Sequence, residues 1–193
     1  MDKIILASSS PRRKELLSKY NLNPIIVKSS IKEKISPNET TEQIAMALAF
    51  EKAKQVGEKY EQGEIIIGAD TIVAYEGKIL GKPKDEEDAK YMLKYLSGKK
   101  HEVVTGISII KANSNLKVID YERTIVKFRK LTDRKIENYI KTKEYIDKAG
   151  AYGIQGVGGI LVEKISGCYF NIVGLPLYKL DILLEKYFDI SLL

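Results

Sequence analysis

The chain has 193 residues, of which 44% are hydrophobic and 30% are charged, and its formal net charge is +6 at pH 7. This hydrophobic share supports a sizeable core and excludes a disordered chain, and the lack of an apolar run near ~20 residues excludes a membrane span. A single cysteine, Cys168, excludes an internal disulfide framework, and we therefore expect a protein of the reducing cytoplasm.

The first half of the chain alternates irregularly between strand and helix patterns. In order, it predicts a strand at 3–8, a helix from Pro11 with Ser10 as its cap, a strand at 24–30, a long helix capped by Thr40 or Thr41, and two strands joined at Glu76-Gly77. Because helices and strands do not alternate strictly, we expect a mixed sheet with flanking helices rather than a doubly wound fold.

The second half continues in the same mixed manner. It predicts a helix with acidic residues in its first turn that ends before Gly98, a long hairpin across an Asn-Ser-Asn turn, a capped helix at 132–142, a glycine-rich stretch at 147–167 and a final helix begun by Pro176. His101 opens one strand of the hairpin, where we expect a satisfied side chain rather than a catalytic one.

The stretch "ASSSPRR" places hydroxyl groups and guanidinium groups at the start of the first helix. Free backbone N–H groups at a helix start attract anions, and the side chains of Ser8, Ser10, Arg12 and Arg13 add donors suited to phosphate oxygens. The pattern therefore indicates a phosphate site. An ordinary helix cap followed by surface arginines is the alternative.

A carboxylate, Asp70, interrupts the apolar strand "GADTIV" at 68–73. Burying an acid is costly unless it is paired, protonated or bound to a metal, so Asp70 is a better catalytic candidate than the surface acids. The alternative is that Asp70 ends the strand and caps a turn.

Two glycine motifs do not fit familiar nucleotide fingerprints. Lys82 in "LGKPKD" is too close to Gly77 for a phosphate loop, and no Ser or Thr follows it, although it could reach a phosphate from the end of a short strand. In "GIQGVGG" the glycine spacing is wrong for a dinucleotide site. With one histidine, a histidine-based metal cluster is excluded, whereas carboxylate coordination of Mg²⁺ stays open.

Together these residues suit metal-assisted chemistry on a polyphosphate, although they do not give the substrate. The positive net charge is typical of a lysine-rich, solvated surface. The alternative interpretation is that it attracts a polyanion or charged small substrates. Dispersed charges and the absence of tryptophan disfavour nucleic-acid binding.

The motifs "LASSSPRRKELL", "EKA", "GADTIV", "GKP", "LSGKKHEVVTG", "DKAGAYGIQG" and "VGLP" occur in this order along nearly the whole chain. The chain thereby resembles the Maf family of nucleoside triphosphate pyrophosphatases. The resemblance implies one domain over 1–193, with a long mixed sheet and two lobes around a cleft, similar to inosine triphosphate pyrophosphatases. It also implies hydrolysis between the α and β phosphates with a divalent cation, Mg²⁺ or Mn²⁺.

The resemblance further implies roles for single residues. The phosphate-gripping residues would be Ser8, Ser10, Arg12 and Arg13 of the first motif. Asp70 would accept the proton, and Glu33, the acidic residue after the second strand, would hold the cation with it. Lys52 would point into the cleft from the long helix, and Lys82 would neutralise phosphate charge.

Arg12, Thr71 and Gln155 look like the branch of the family that acts on dTTP and UTP. The branch that acts on 7-methyl-GTP instead carries a tryptophan in the first motif, a glutamine after the aspartate and an acid at the position of Gln155. The Gln155 amide offers both a donor and an acceptor to the O4 and N3–H of uracil or thymine.

The resemblance implies that the protein clears non-standard or excess nucleotides in the cytoplasm. We expect it to bind a small nucleotide and not to associate with a membrane. A homodimer is the assembly it suggests. The alternative from another class is a non-catalytic nucleotide- or nucleic-acid-binding regulator linked to cell division.

Overall fold

The computed structural model describes residues 3–20, 22–31 and 38–193. The helices are α1 (Pro11–Leu17), α2 (Thr41–Gly57), α3 (Glu86–Leu96), α4 (Asp133–Lys141), α5 (Tyr169–Val173) and α6 (Leu177–Phe188). The strands are β1 (Ile4–Ala7), β2 (Ile25–Ile26), β3 (Ile65–Tyr75), β4 (Lys78–Leu80), β5 (Lys100–Lys111), β6 (Lys117–Phe128) and β7 (Val162–Ser166). Short 3₁₀ helices occupy Ala149–Ala151 and Val157–Leu161.

Within the described residues, the seven strands form one mixed sheet. Its order is β2-β1-β3-β5-β6-β7, with β4 paired to β3 outside that path. β1 runs parallel to β2 and β3, whereas β4 is antiparallel to β3 and β7 is antiparallel to β6. The predicted mixed sheet with flanking helices is therefore confirmed.

Most predicted elements form, and their ends follow local chemistry. Thr40 caps α2 through a reciprocal capping box with Gln43, and Thr132 caps α4. The second strand covers only Ile25–Ile26, which is shorter than the predicted 24–30. Ser10 holds the cap position of α1, yet its side chain makes no capping hydrogen bond.

The chain divides into two compact units. The first comprises the described parts of Met1–Asp70, Thr105–Glu122 and Gly174–Leu193, and the second comprises Thr71–Val104 and Arg123–Val173. The long strands β3, β5 and β6 each contribute one end to either unit.

In the first unit, α2 lies directly against the backbone of the sheet. A Cβ atom on Gly68 of β3 would lie 2.3 Å from the carbonyl oxygen of Ala49, and one on Gly106 of β5 would lie 2.2 Å from that of Ala45. Both strand positions therefore require glycine, and small alanines complete the contact from the helix.

The second unit has its own core. Leu93 and Leu96 of α3 pack there with Ile136 of α4 and Phe128 of β6, and all four are at most 2% exposed. His101 is also buried, with its Nε2 2.9 Å from the hydroxyl of Tyr152. The predicted satisfied histidine is thus only half correct, because among the described residues its Nδ1 has no hydrogen-bond partner. In the parts of the chain that the structure describes, no helix is both long enough and apolar enough to span a membrane.

Candidate functional site

Asp70 is buried near the middle of β3, and its carboxylate is paired with a lysine. Its Oδ1 accepts a charge-assisted hydrogen bond from Nζ of Lys52 on α2. The two side chains are 12% and 14% exposed, respectively. A carboxylate in an apolar strand is thereby offset by one ammonium while keeping a small exposed surface.

The close approach of α2 to β3 explains why these two residues meet. Lys52 lies one helical turn after Leu48 and next to Ala53, whose backbone nitrogen would be 2.9 Å from a Cβ on Gly68. Because Gly68 has no side chain, the helix comes near enough for the lysine to reach Asp70, two residues further along β3. The glycine of "GADT" therefore allows the acid of the same motif to pair with Lys52.

The first motif turns around the hydroxyl of Ser8, which is buried. Its Oγ accepts hydrogen bonds from the backbone N–H of Ser10 at 3.1 Å and from Nη1 of Arg13 at 3.3 Å. Nε of Arg13 donates to the carbonyl of Gly174 at 2.6 Å. Arg13 thus joins the first motif to the "VGLP" segment inside the first unit, and Arg12 beside it is partly exposed.

Strand pairing places the first motif beside the part of β3 that carries Asp70. β1 and β3 are parallel, with Ala7 opposite Gly68. The chain leaves β1 at Ser8, so the stretch that holds Ser8 and Ser10 begins level with the residues just before Asp70. Functional groups commonly gather where a parallel strand ends, and here β1 ends beside β3, which continues past Asp70 to Tyr75.

The second unit holds Thr71, Lys82 and Gln155. Thr71 directly follows Asp70 in β3. The exposed Lys82 follows β4, where the carbonyl of the preceding Gly81 accepts a hydrogen bond of 3.1 Å from the backbone N–H of Gly150. This bond ties the "GKP" loop to the glycine-rich stretch, in which Gln155 is exposed.

Glu144 is a residue that the sequence interpretation missed. Its two carboxylate oxygens accept hydrogen bonds from the backbone N–H groups of Val157 at 2.7 Å and Gly158 at 3.0 Å. These residues follow Gln155 in the chain. The polar surroundings "KTKEY" are typical of a solvated surface, so no local pattern would have identified this glutamate.

Of the two carboxylates predicted to hold a cation, the described residues include Asp70. Glu33, predicted to hold the ion with Asp70, lies outside the described residues. Among those that are described, no group of three or more histidine, cysteine, aspartate or glutamate side chains is arranged to bind a metal. Mg²⁺ commonly uses one or two carboxylates together with substrate phosphates, so the oxygen of Asp70 suits it chemically.

The structure therefore sorts the predicted residues into two sets. In the first unit it pairs Lys52 with Asp70 and Arg13 with Ser8, and β1, which leads into Ser8, lies beside β3, which holds Asp70. In the second it joins the loops that carry Lys82 and Gln155. The roles of these residues stay predictions.

Comparison with known proteins decides the family. The family model described as "Maf-like protein" matches residues 3–187. The chain belongs to the Maf family. The sequence resemblance to this family is thereby confirmed over almost the whole chain.

Curated Maf relatives are similar along their full length. A protein of Clostridioides difficile named dTTP/UTP pyrophosphatase is 54% identical, and the alignment covers 98% of this chain and 97% of that protein. A protein of the same name from Alkaliphilus oremlandii is 50% identical over all of both chains. A third, from a Thermoanaerobacter species, is 50% identical over 99% of this chain and all of its own.

A solved structure of a nucleoside-triphosphatase, titled dITP/XTP pyrophosphatase, from Mycobacterium abscessus also aligns. The alignment covers 67% of this chain and 75% of the Mycobacterium abscessus chain, with 15% sequence identity and a TM-score of 0.40. A TM-score this low supports no inference about function.

Proposed function

We propose that this Maf protein hydrolyses dTTP and UTP to the nucleoside monophosphate and pyrophosphate. The observation that carries the proposal is the partly buried pair of Asp70 and Lys52, set beside a motif rich in hydroxyl and guanidinium donors. The shared name of relatives 50–54% identical over nearly the whole chain supports the same activity and substrates. We also propose that residues 1–193 act as one catalytic domain in the cytoplasm.

The proposed chemistry is in-line attack of water on the α-phosphorus. The carboxylate of Asp70 accepts the proton of the attacking water, and the low exposure around it limits competition from bulk solvent. The ammonium of Lys52 holds this carboxylate in place and offsets its charge as the anionic substrate arrives. Arg12, Arg13 and Lys82 stabilise the charge that develops on the leaving pyrophosphate, and Ser8 and Ser10 orient the phosphates.

A divalent cation fits this arrangement. Asp70 offers it a hard oxygen ligand, and Glu33 is proposed as the second. When bound, Mg²⁺ or Mn²⁺ would neutralise phosphate charge and relieve the repulsion between the triphosphate and these acids.

Base selection is proposed to lie with Arg12, Thr71 and Gln155. The neutral amide of Gln155 donates to O4 and accepts from N3–H of uracil or thymine. Cytosine presents the opposite donor and acceptor at these positions, but a glutamine amide can rotate to meet them. CTP is therefore expected to be the nearest competitor, ahead of the purine nucleotides, which are larger.

The proposal is tested by measuring pyrophosphate release from a panel of nucleoside triphosphates, with product identification. We expect dTTP and UTP to be turned over with the highest kcat/KM, activity to stop on exhaustive chelation, and Mg²⁺ or Mn²⁺ to restore it. Formation of orthophosphate, or a preference for GTP, would contradict the reaction or the base assignment. Nucleotide binding without any turnover would instead favour the regulator hypothesis.

A further inference from the structure

We propose that Glu144 is a positioning residue that determines base selectivity by fixing the loop that carries Gln155. The inference rests on the proposed function, because it assumes that Gln155 reads the nucleotide base. It concerns only residues of the second unit, all in or beside the glycine-rich stretch.

The carboxylate of Glu144 spans the loop immediately after Gln155. Oε2 accepts from the backbone N–H of Val157 at 2.7 Å, and Oε1 accepts from that of Gly158 at 3.0 Å. Val157 and Gly158 open a 3₁₀ helix, whose first N–H groups have no partner within the helix itself. One side chain thus satisfies two successive backbone donors, two and three residues beyond Gln155.

Gly156 leaves the space that this carboxylate occupies. A Cβ atom on Gly156 would lie 2.2 Å from Oε2 of Glu144, whereas one on Gly158 would first meet the carbonyl oxygen of Gly153 at 2.6 Å, and one on Gly153 would first meet Cε of Lys148, also at 2.6 Å. The φ of Gly156 is −104°, outside the left-handed region, so the close approach of the carboxylate is the constraint identified at this position. The glycine directly after Gln155 is therefore fitted to this glutamate.

Glu144 is itself held from its own side of the contact. Its backbone N–H donates to Oγ1 of Thr142 at 3.2 Å, and its carbonyl accepts from Nζ of Lys148 at 2.6 Å. The hydroxyl of Tyr139, a buried residue of α4, lies 3.5 Å from Oε1. The anchor is thus built into the end of α4 and the turn that follows it.

Fixing the loop matters for selectivity because an amide can discriminate only when its orientation is constrained. The amide carries both a donor and an acceptor, so the Gln155 side chain could suit cytosine as well as uracil if it were free to change its rotamer. With Glu144 holding the backbone amides of Val157 and Gly158, the loop after Gln155 is restrained, and the side chain has fewer ways to present its donor and acceptor to the base. Loss of the anchor should therefore affect base choice more than the chemical step.

The test compares Glu144→Ala and Glu144→Gln with the wild-type protein on UTP, dTTP and CTP. Glu144→Ala removes both acceptors, and we expect the UTP-to-CTP ratio of kcat/KM to fall about tenfold or more, mainly through a higher KM for UTP. Glu144→Gln keeps one acceptor oxygen, so its UTP-to-CTP ratio of kcat/KM should lie between those of the wild-type protein and Glu144→Ala. Glu163→Gln is the matched control, because Glu163 pairs with Lys127 on the exposed surface of the same unit.

A second arm uses Gly156→Ala, whose methyl group must push the Glu144 carboxylate off the amides. We expect it to lower the selectivity ratio as Glu144→Ala does, and the double variant to be no worse than either alone. Hydrogen exchange at the amides of Val157 and Gly158 should become faster in both single variants, which reports the anchor without any activity measurement.

The outcomes separate the inference from the proposed function. A wild-type enzyme that does not hydrolyse dTTP or UTP defeats the proposed function, whatever the amide exchange shows. A wild-type enzyme that prefers UTP, with folded Glu144→Ala protein equally selective, overturns the inference alone. Fully additive effects of Gly156→Ala and Glu144→Ala would also overturn it.

Discussion

At the scale of single residues, the site depends on the paired charges of Asp70 and Lys52. Removing one partner of a buried ion pair leaves the other charge uncompensated, which is usually more damaging than the pair is stabilising. A substitution that keeps the shape of the acid still leaves the Lys52 ammonium uncompensated, so its kinetics must be measured beside a test of folding.

We expect Asp70→Asn to lower kcat with UTP by ~10²–10⁴-fold, since the amide keeps the size of the carboxylate but cannot take up the proton of the attacking water. Steady-state kinetics at saturating cation checks this, with the far-ultraviolet circular dichroism spectrum as the control for folding. A folded Asp70→Asn protein with near-normal kcat would remove Asp70 from the mechanism.

At the scale of elements, the decisive feature is how closely α2 lies on β3 and β5. Gly106 on β5 and Gly68 on β3 admit the helix backbone, and this approach allows Lys52 to reach Asp70. The contact with Ala45 is made to a backbone carbonyl, so the helix cannot relieve a clash there by a change of rotamer.

Gly106→Ala should therefore push α2 away from the sheet. Overpacking of this kind costs ~1–3 kcal/mol of unfolding free energy, and we also expect a lower kcat because Lys52 moves with its helix. Urea unfolding and UTP kinetics measure the two effects. Gly57→Ala is the control, because its Cβ would meet only Ile66 at ordinary contact distances of 3.7–3.8 Å. Equal stability of the two variants would contradict the close-packing account.

At the scale of the whole molecule, a buried histidine links stability to pH. Burial of His101 lowers its pKa from the ordinary 6.5 to about 4. The unfolded chain therefore takes up the proton first, so this contribution is complete above pH ~6.5 and is lost as the pH falls towards 4. The difference corresponds to about 3 kcal/mol of unfolding free energy.

Urea unfolding between pH 7 and pH 4 tests this linkage. The wild-type protein should lose about 3 kcal/mol more than His101→Gln over this range, because glutamine does not titrate there while its amide can still meet the Tyr152 hydroxyl. Parallel stability curves for the two proteins would show that His101 does not titrate on unfolding.

Local patterns in the sequence determined the elements and the motifs. Caps such as Thr40 and Thr132 and the apolar runs of β3 and β5 depend on neighbours in the chain, and the structure confirms the elements they predict. The unusual position of an acid in "GADTIV" likewise identified Asp70 as buried, because the cost of desolvating a charge is visible in the residues around it.

Tertiary structure alone decided the partners. Lys52 and Asp70 are 18 residues apart, and Arg13 reaches Gly174 across 161 residues, so no local periodicity could pair them. Glu144 is the clearest example, since its side chain has no distinguishing neighbours and gains its role only where a glycine-rich loop folds back onto it. Such contacts arise from long-range packing and from the need to satisfy buried backbone groups, which depend on the whole fold rather than on any segment.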